Sequence, residues 1–263
     1  MVNFGIQALS AGRGGSVDFQ KAAGGFGRMR YSTMLLSCAA LLVTGCRSDA
    51  VSQSDKGFPD MSQWVVEQMP GGRVYKQGDA LVIEDAAGCS VWLKEKLTAP
   101  VEISYDVTVV SAGGPHDRVS DVNCFWMARD PASPDGSPFA AGHARSGKFA
   151  DYDTLLTYYV GMGGNTNTTT RFRRYDGHGA RPLLPEHDLR DAAHLLQPNR
   201  TYHIRVVARD GVAEFWRDGE KILSYKDPEP LTAGWFAFRT VTSHLEIRNF
   251  RFSRSVNQGS AAR

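Results

Sequence analysis

The chain has 263 residues and a formal net charge of +2 at pH 7. Its 30 lysines and arginines nearly balance 28 aspartates and glutamates, so the composition does not indicate nucleic-acid binding. The cysteines and histidines show no paired spacing of the kind that zinc sites use, and no metal site is predicted.

The N-terminal region has the layout of a lipoprotein export signal. Residues 29–45 begin with a short basic start at Met29-Arg30, continue with an apolar stretch and end in small residues directly before Cys46. The apolar stretch is shorter than the roughly 20 residues that span a bilayer. The pattern predicts export and a lipid anchor at Cys46 in the bacterial cell envelope; the alternative is an ordinary secretory signal with an incidental cysteine. Residues 1–28 are glycine-rich and unpatterned, and we interpret them as a misassigned extension before a second start at Met29.

Three segments of different character follow the predicted signal. Residues 46–57 are polar and rich in serine and aspartate, which predicts a flexible tether. Residues 58–254 form the predicted domain, and the small polar tail at 255–263 is predicted to be disordered.

The predicted domain is dominated by alternation with a period of two. In Val101–Val109 every odd position is apolar, which predicts a strand with one buried face. Asp210-Gly211 and Asp218-Gly219 supply the positive φ angles that tight hairpin turns need. One short segment, 188–196, has a helical pattern. The sequence therefore predicts an all-β fold, a two-sheet antiparallel jelly-roll sandwich.

Cys89 and Cys124 both lie in predicted strands. Export would permit a disulfide between them, whereas two buried thiols fit the strand pattern equally well.

A first polar segment interrupts the apolar pattern before and within a strand. His116 lies in a loop, and Asp121 and Asn123 share one strand face while Cys124 and Trp126 share the other. The polar face is interpreted either as part of a ligand groove or as a solvated loop with a satisfied turn.

A second polar segment joins Tyr158 and Tyr159 to a glycine-rich turn with Asn165 and Asn167. A groove tyrosine can stack on a ring or transfer a proton. The alternative is a hairpin with two packed tyrosines.

A third segment places Arg171 and Arg173 on one strand face. Arginine binds carboxylates in a two-pronged geometry, which indicates an acidic ligand. The alternative is a solvated strand edge whose charges discourage aggregation. Arg239 and His244 bracket a later loop at the predicted rim of the sandwich and are weaker binding candidates.

The closing segments YHIRVVARDGVAEFWRDGEKI and HLEIRNFRFSR resemble the last strands of concanavalin-A-like jelly rolls. The segments VEISYDVTVVSAGGPHDRVSDVNCFW, SGKFADYDTLLTYYVGMGGNTNTTTRFRRYDG and ARPLLPEHDLRD resemble an uncharacterised family of exported bacterial domains, domain of unknown function 6250. The resemblance extends over Trp64–Phe252. It implies a fold shared with polysaccharide lyases, glycoside hydrolases and carbohydrate-binding modules, among which fold alone does not choose.

The resemblance and the residue types together favour a polysaccharide lyase acting by β-elimination on a uronic-acid glycan. The expected catalytic residues are Tyr158, Tyr159, His116 and Arg171. The expected substrate-binding residues are Asp121, Asn123, Asn165, Asn167, Arg173, Arg239 and His244.

Two alternatives remain from the sequence. A glycoside hydrolase would pair Asp121 with Asp151 or Glu186, although no closely spaced carboxylate motif is present. A non-catalytic carbohydrate-binding module would need no acid or base. The expected partners are a poly- or oligosaccharide and a membrane contacted through the Cys46 anchor. No cofactor is expected, and the sequence does not decide whether a structural Ca²⁺ is bound.

Overall fold

The structure is a computed structural model that describes residues 58–253. The predicted extension (1–28), signal peptide (29–45), tether (46–57) and tail (255–263) lie outside the described residues, and so does Cys46, the predicted lipidation site. Within the described part of the chain, no helix has the length and apolarity needed to cross a membrane.

The described residues form short strands. Their bounds are β1 Trp64–Gln68, β2 Arg73–Gln77, β3 Ala80–Glu84, β4 Cys89–Leu93, β5 Leu97–Thr98, β6 Val101–Val109, β7 Val122–Arg129, β8 Leu156–Gly163, β9 Thr169–Asp176, β10 Asp188–Leu189, β11 Thr201–Arg209, β12 Val212–Arg217, β13 Glu220–Lys226, β14 Ala233–Thr240 and β15 His244–Phe252. Single 3-10 turns lie at Met61–Gln63, Phe149–Tyr152, Pro185–His187 and Ala192–His194. Gly164–Asn167 forms a turn with left-handed backbone angles after β8.

The predicted helix at 188–196 is wrong. Asp188 and Leu189 instead form the edge strand β10, which pairs with β9, and only Ala192–His194 makes a 3-10 turn. The strand is held in place by a side-chain ion pair between Arg171 and Asp188. Local helical pattern is therefore overridden by pairing with the sheet edge.

The strands form two antiparallel sheets, which confirms the predicted sandwich. One sheet has the order β1-β4-β14-β7-β8-β9-β10, with β5 also paired to β14. The other has the order β13-β12-β11-β6-β15-β3-β2. The Asp-Gly turns occur as predicted, with φ of 52° at Asp210 and 53° at Asp218.

The main core lies between the two sheets. The alternating side chains of β6 are buried at each odd position, and the core also takes Trp126, Phe172 and Phe238 from the eight-stranded sheet. Each fully buried side chain of this size contributes about 1.5–3 kcal/mol of transfer free energy. This core fixes which side chains of β7, β8 and β9 must face outward, because successive residues of a strand alternate between faces.

A second apolar cluster covers part of the outer face of the eight-stranded sheet. The segment 130–155, which we call the cover segment, folds back over this face between β7 and β8. Its Tyr152 ring lies 5.5 Å from the Phe125 ring and 6.2 Å from the Trp92 ring. Part of the sheet face on which the sequence predicts a ligand groove is therefore covered by protein.

Cys89 and Cys124 are free, buried thiols, so the disulfide alternative is not the one that the structure shows. They lie on β4 and β7, which are separated by β14. Two strand spacings amount to roughly 10 Å, beyond the roughly 7 Å between Cα atoms that a disulfide tolerates. Burial raises the pKa of both thiols, that of Cys124 to about 12, so both stay protonated.

Candidate functional site

Strand pairing aligns outward-facing side chains of the eight-stranded sheet into a row that crosses it. In order from β1 to β10 the row contains Glu67, Ser90, Arg239, Asn123, Gly161, Arg171 and Asp188. A neighbouring row contains Trp92, Ala237, Phe125, Tyr159 and Arg173. Residues that are far apart in sequence thus become lateral neighbours on one face.

The β1 side of the polar row lies beneath the cover segment. The Glu67 carboxylate accepts hydrogen bonds from the Trp92 indole (2.8 Å), the Tyr152 hydroxyl (2.8 Å) and the Arg145 backbone N–H (2.6 Å). Glu67 is only 4% exposed, and burial raises its pKa. The Glu67 carboxylate therefore holds the cover segment against the sheet through hydrogen bonds.

Arg239 lies on the same covered side. The sequence predicts a rim residue that binds ligand, but the structure gives Arg239 no exposed surface. Its Nη1 donates to the Gly147 carbonyl at 2.5 Å, and the guanidinium lies 5.3 Å from the Phe149 ring centre and 5.2 Å from that of Tyr152. Its Nε and Nη2 have no hydrogen-bond partner among the described residues. The predicted ligand contact is blocked because the cover segment lies over this arginine.

The β8 side of both rows is less covered, and we call six residues there the polar site: three of the first row, two of the neighbouring row, and Asp121 directly before β7. They are Asp121, Asn123, Tyr159, Gly161, Arg171 and Arg173. Tyr159 leans over Gly161, since a Cβ at Gly161 would lie 2.8 Å from the Tyr159 hydroxyl oxygen. The residue is 7% exposed, and within residues 58–253 its hydroxyl has no hydrogen-bond partner. Because Gly161 has no Cβ, it leaves the space that the Tyr159 ring occupies.

The arginines of the polar site differ in their partners. Arg171 makes a two-pronged ion pair with Asp188, with N–O distances of 2.7 and 3.2 Å. This contact and a second arginine, Arg190, hold the pKa of Asp188 at about 2. Arg173 donates only to the Arg181 carbonyl and has no carboxylate partner in the described part of the chain. Burial, together with the positive charges of Arg171 and Arg181, lowers the pKa of Arg173.

Asn123 and Asp121 complete the polar site, on the same face as the sequence predicts. The Asn123 amide donates to the Asp121 carboxylate at 3.3 Å, while the Asn123 carbonyl oxygen is buried without a partner. Asp121 also accepts from Arg118 at 2.9 Å and from the Ser120 hydroxyl. Burial raises the pKa of Asp121, against the lowering effect of these donors. One buried acceptor thus remains unused beside Tyr159 and Arg173.

The predicted histidines do not join this site. His116 contacts the Gly71 carbonyl at 3.1 Å, in the loops at one end of the sandwich. His244 begins β15 in the opposite sheet and contacts Asp117 at 3.0 Å. Both rings take part in loop contacts, so the predicted roles of His116 in proton transfer and of His244 in binding gain no support from the geometry.

Asn165 and Asn167 belong to the turn after β8, and their side chains contact residues of that turn and its neighbouring backbone. Asn165, Thr166 and Asn167 all have left-handed backbone angles, with φ of 52°, 58° and 56°. The Asn167 side chain exchanges two hydrogen bonds of 2.9 Å with the backbone of Leu196. Asn165 is exposed and contacts Thr169. Asn167 therefore has a structural role. Asparagine tolerates left-handed backbone angles, and its side chain can form hydrogen bonds with the neighbouring backbone.

Tyr158 faces the core, unlike Tyr159. Its hydroxyl donates to Asp227 at 2.7 Å and accepts from the Leu231 backbone N–H at 3.1 Å. Arg174 shares the same Asp227 oxygen at 3.0 Å, and burial raises the pKa of Tyr158. Of the two tyrosines that the sequence proposes for catalysis, alternation along β8 leaves only Tyr159 on the outer face.

Replacing Tyr158 by phenylalanine should lower the free energy of unfolding by about 1–3 kcal/mol, because Asp227 and the Leu231 N–H lose a buried partner. Urea unfolding followed by tryptophan fluorescence measures this change. The same substitution at Tyr75, whose hydroxyl bonds Glu84 near the surface, should cost less. An equal cost at both positions would contradict the assigned role of Tyr158.

The carboxylates of the hydrolase alternative are dispersed. Asp151 accepts a hydrogen bond from the Ser146 hydroxyl at 2.6 Å, and Glu186 is exposed on a 3-10 turn. Asp121 is tied to Arg118. The structure does not bring Asp121 together with Asp151 or Glu186 by any contact. Within residues 58–253, no group of three or more histidine, cysteine, aspartate or glutamate side chains is arranged to hold a metal ion.

No curated protein matches this sequence. Among solved structures, a protein of unknown function with a galectin-like fold from Bacillus subtilis matches with a TM-score of 0.56 and 19% identity, covering 74% of this chain and 90% of that chain. The carbohydrate-binding module CBM66 from Bacillus subtilis matches with a TM-score of 0.50 and 10% identity, covering 76% of this chain and 98% of that chain. At these identities the likeness shows the fold alone.

The family resemblance that the sequence motifs carry is confirmed by a family model. Residues 83–250, more than half of the chain, match the model described as Domain of unknown function (DUF6250). The matched range includes each residue of the polar site and the whole cover segment. This chain therefore belongs to the DUF6250 family.

Proposed function

We propose that the polar site binds an acidic polysaccharide and cleaves it by β-elimination. The observation that carries the proposal is Arg173, a half-buried cation. Within residues 58–253 it has no carboxylate partner, and it lies directly across the strand pair from Tyr159, whose hydroxyl has no hydrogen-bond partner there either. The carboxylate of a uronic-acid sugar would supply the partner that Arg173 lacks. The likeness to a carbohydrate-binding module supports a carbohydrate ligand.

The residues of the polar site would have different roles in binding and catalysis. Arg173 and Arg171 neutralise the sugar carboxylate and so acidify the proton on the adjacent carbon. Asn123 lies across β8 from Arg171, and its buried carbonyl oxygen, which has no hydrogen-bond partner within residues 58–253, is the remaining acceptor of the polar site.

Tyr159 is the group placed to move the proton. Its ionised form takes the proton from the carbon next to the carboxylate, and the electron pair forms a carbon–carbon double bond as the glycosidic oxygen departs. Tyr159 then gives the same proton to the departing oxygen, so the tyrosine is regenerated and the reaction needs no water. This scheme needs only one acid–base group, and Tyr159 supplies it.

The rate of this reaction should rise with pH. Burial holds the pKa of Tyr159 well above its usual value of 10, and this outweighs the opposite effect of Arg239. The ionised base is therefore scarce at neutral pH and increases with pH. We expect kcat/KM to rise by up to about tenfold per unit between about pH 7 and pH 9. A flat or falling profile would show that Tyr159 does not act as the base.

A substrate screen tests the proposal. The domain from residue 54 onward is incubated with acidic and neutral polysaccharides, and products are followed both by ultraviolet absorbance and by reducing-end assay. Unsaturated products from a uronate polymer are the expected result. Reducing ends without unsaturated products would instead establish hydrolysis and direct attention to Asp121, Asp151 and Glu186.

A non-catalytic carbohydrate-binding module is the second candidate. It is favoured by the absence of a histidine from the polar site among the described residues, since His116 and His244 bond elsewhere. This candidate requires only Arg171, Arg173 and Asn123. If the protein is retained on one polymer and neither assay detects a product, the binding-module function is favoured over the lyase function.

We also propose that the protein is exported through the signal at residues 29–45 and anchored by a lipid on Cys46. Such an anchor would hold the polar site where it meets polysaccharide outside the cytoplasm. Replacing Cys46 by alanine should prevent incorporation of a labelled fatty acid and move the protein from the membrane fraction to the soluble fraction. Unchanged labelling and fractionation would contradict the anchor.

A further inference from the structure

We infer that the polar site accepts the end of a glycan chain and not an internal stretch of it. The inference rests on the proposed function, because it concerns how an acidic glycan would lie on the same six residues. Its basis is that the outer face is open toward β10, whereas the cover segment closes it by lying over Arg239 on β14 and against Tyr159 on β8.

Aromatic side chains of the cover segment form the wall on the closed side. Phe149 lies 5.7 Å from the Tyr159 ring, directly beside the polar site. Behind it, Tyr152 stacks on Phe125, and Phe139 lies 6.0 Å from Trp235. A glycan that followed the row of side chains across the strands would therefore meet Phe149 immediately after Tyr159.

The wall is fixed by a network of hydrogen bonds. Arg145 donates to the carbonyls of Asp151 (2.8 Å) and Pro138 (2.6 Å) and to the Asp130 carboxylate (2.8 Å). Its backbone N–H donates to Glu67 on β1. The Arg145 side chain is only 8% exposed. Since each buried hydrogen bond to a charged group contributes about 1.5–3 kcal/mol, displacement of this segment by a ligand would be costly.

A second wall blocks the direction along β8 and β9. Arg181 lies 5.3 Å from the Phe149 ring centre and 5.8 Å from that of Tyr175, and it pairs with Asp153 at 3.1 Å. Tyr175, the next outward-facing residue after Arg173, has no exposed surface. The glycan therefore cannot continue past Arg173 toward the end of β9.

The opposite side of the site remains accessible. Arg171 and Asp188 are 21% and 18% exposed, and Arg190 beyond them is 65% exposed. The width from β8 to β10 is two strand spacings, roughly 10 Å. This accommodates a short stretch of glycan entering over β10 and ending against Phe149, with Arg173 and Tyr159 at the closed end.

The size of the first products tests this inference on a polymer that the protein cleaves. A chain-end enzyme releases one small unsaturated product from the start, while the viscosity of the solution falls little. An enzyme that cuts internally gives a ladder of sizes and an early loss of viscosity. A ladder would overturn the chain-end inference but leave the proposed elimination intact, so the two failures are distinguishable.

A binding measurement covers the case in which a polymer is bound but not cleaved. Calorimetry compares a tetrasaccharide with a long polymer of the same uronic acid. A chain-end site predicts the same affinity per chain and a stoichiometry independent of chain length. Stoichiometry that grows with length would overturn the inference. If no acidic polymer is bound or cleaved, the proposed function fails, and the inference fails with it.

Discussion

Replacing Tyr159 by phenylalanine is expected to lower kcat/KM on the acidic polymer by about 10²–10⁴-fold, the usual contribution of a positioned acid–base group. Only the hydroxyl is removed, and within residues 58–253 that hydroxyl has no hydrogen-bond partner. The ring contacts with Phe125 and Phe149 are kept. The free energy of unfolding should therefore change by less than about 0.5 kcal/mol.

The matched control is the same substitution at Tyr75, on the seven-stranded sheet, whose hydroxyl bonds Glu84. The rate of this variant should equal that of the wild type. Both variants are compared at saturating and at low substrate concentration. A Tyr159→Phe variant that turns over at the wild-type rate but binds weakly would contradict proton transfer by Tyr159 and leave it a role in binding only.

The fold could be predicted because strand alternation is local. The alternating burial of β6, the Asp-Gly turns and the opposite facing of Asn123 and Cys124 all follow from side-chain periodicity in short windows. Side-chain alternation also predicts that Tyr158 and Tyr159 lie on opposite faces of β8. The sequence does not show which of these two adjacent rings points into the core. In β8 the core side is decided by pairing with β7 and β9.

The cover segment is what the sequence could not reveal. Residues 130–155 are rich in turn residues and show no periodicity, so their packing against Trp92 and Phe125 depends on contacts far apart in sequence. One signal was present: Glu67 is a carboxylate directly after the apolar residues Trp64-Val65-Val66, and its buried partners are Trp92 and Tyr152. Its significance appears only once β1 and β4 are known to be neighbours.

The two arginines of β9 show the same limit. Their spacing places Arg171 and Arg173 on one face, as the structure confirms. Whether each has a carboxylate partner depends on β10, which the sequence presents as part of a helix. Pairing of β10 brings Asp188 to Arg171, while Arg173 has only a carbonyl oxygen as partner in the part of the chain that the structure describes. The difference between a structural and a ligand-binding arginine thus arises from tertiary pairing.

Replacing Arg173 by glutamine should weaken binding of the acidic polymer by about 10–100-fold, because a hydrogen bond between two charged groups contributes about 1.5–3 kcal/mol. Binding of neutral polysaccharides should not change. The loss should also shrink as salt is added, since screening already weakens the charge–charge part of the interaction in the wild type. Calorimetric titration at two salt concentrations measures both effects.

Arg205 provides the matched control, because it is an arginine on the opposite sheet with its own carboxylate partner, Glu102, at 3.0 Å. Arg205→Gln removes the same charge from the molecule and leaves the polar site untouched. If both variants lose affinity equally, the acidic polymer is attracted by overall charge and not by Arg173. A loss confined to Arg173→Gln, with unchanged unfolding of both variants, would locate the carboxylate of the glycan at the closed end of the polar site.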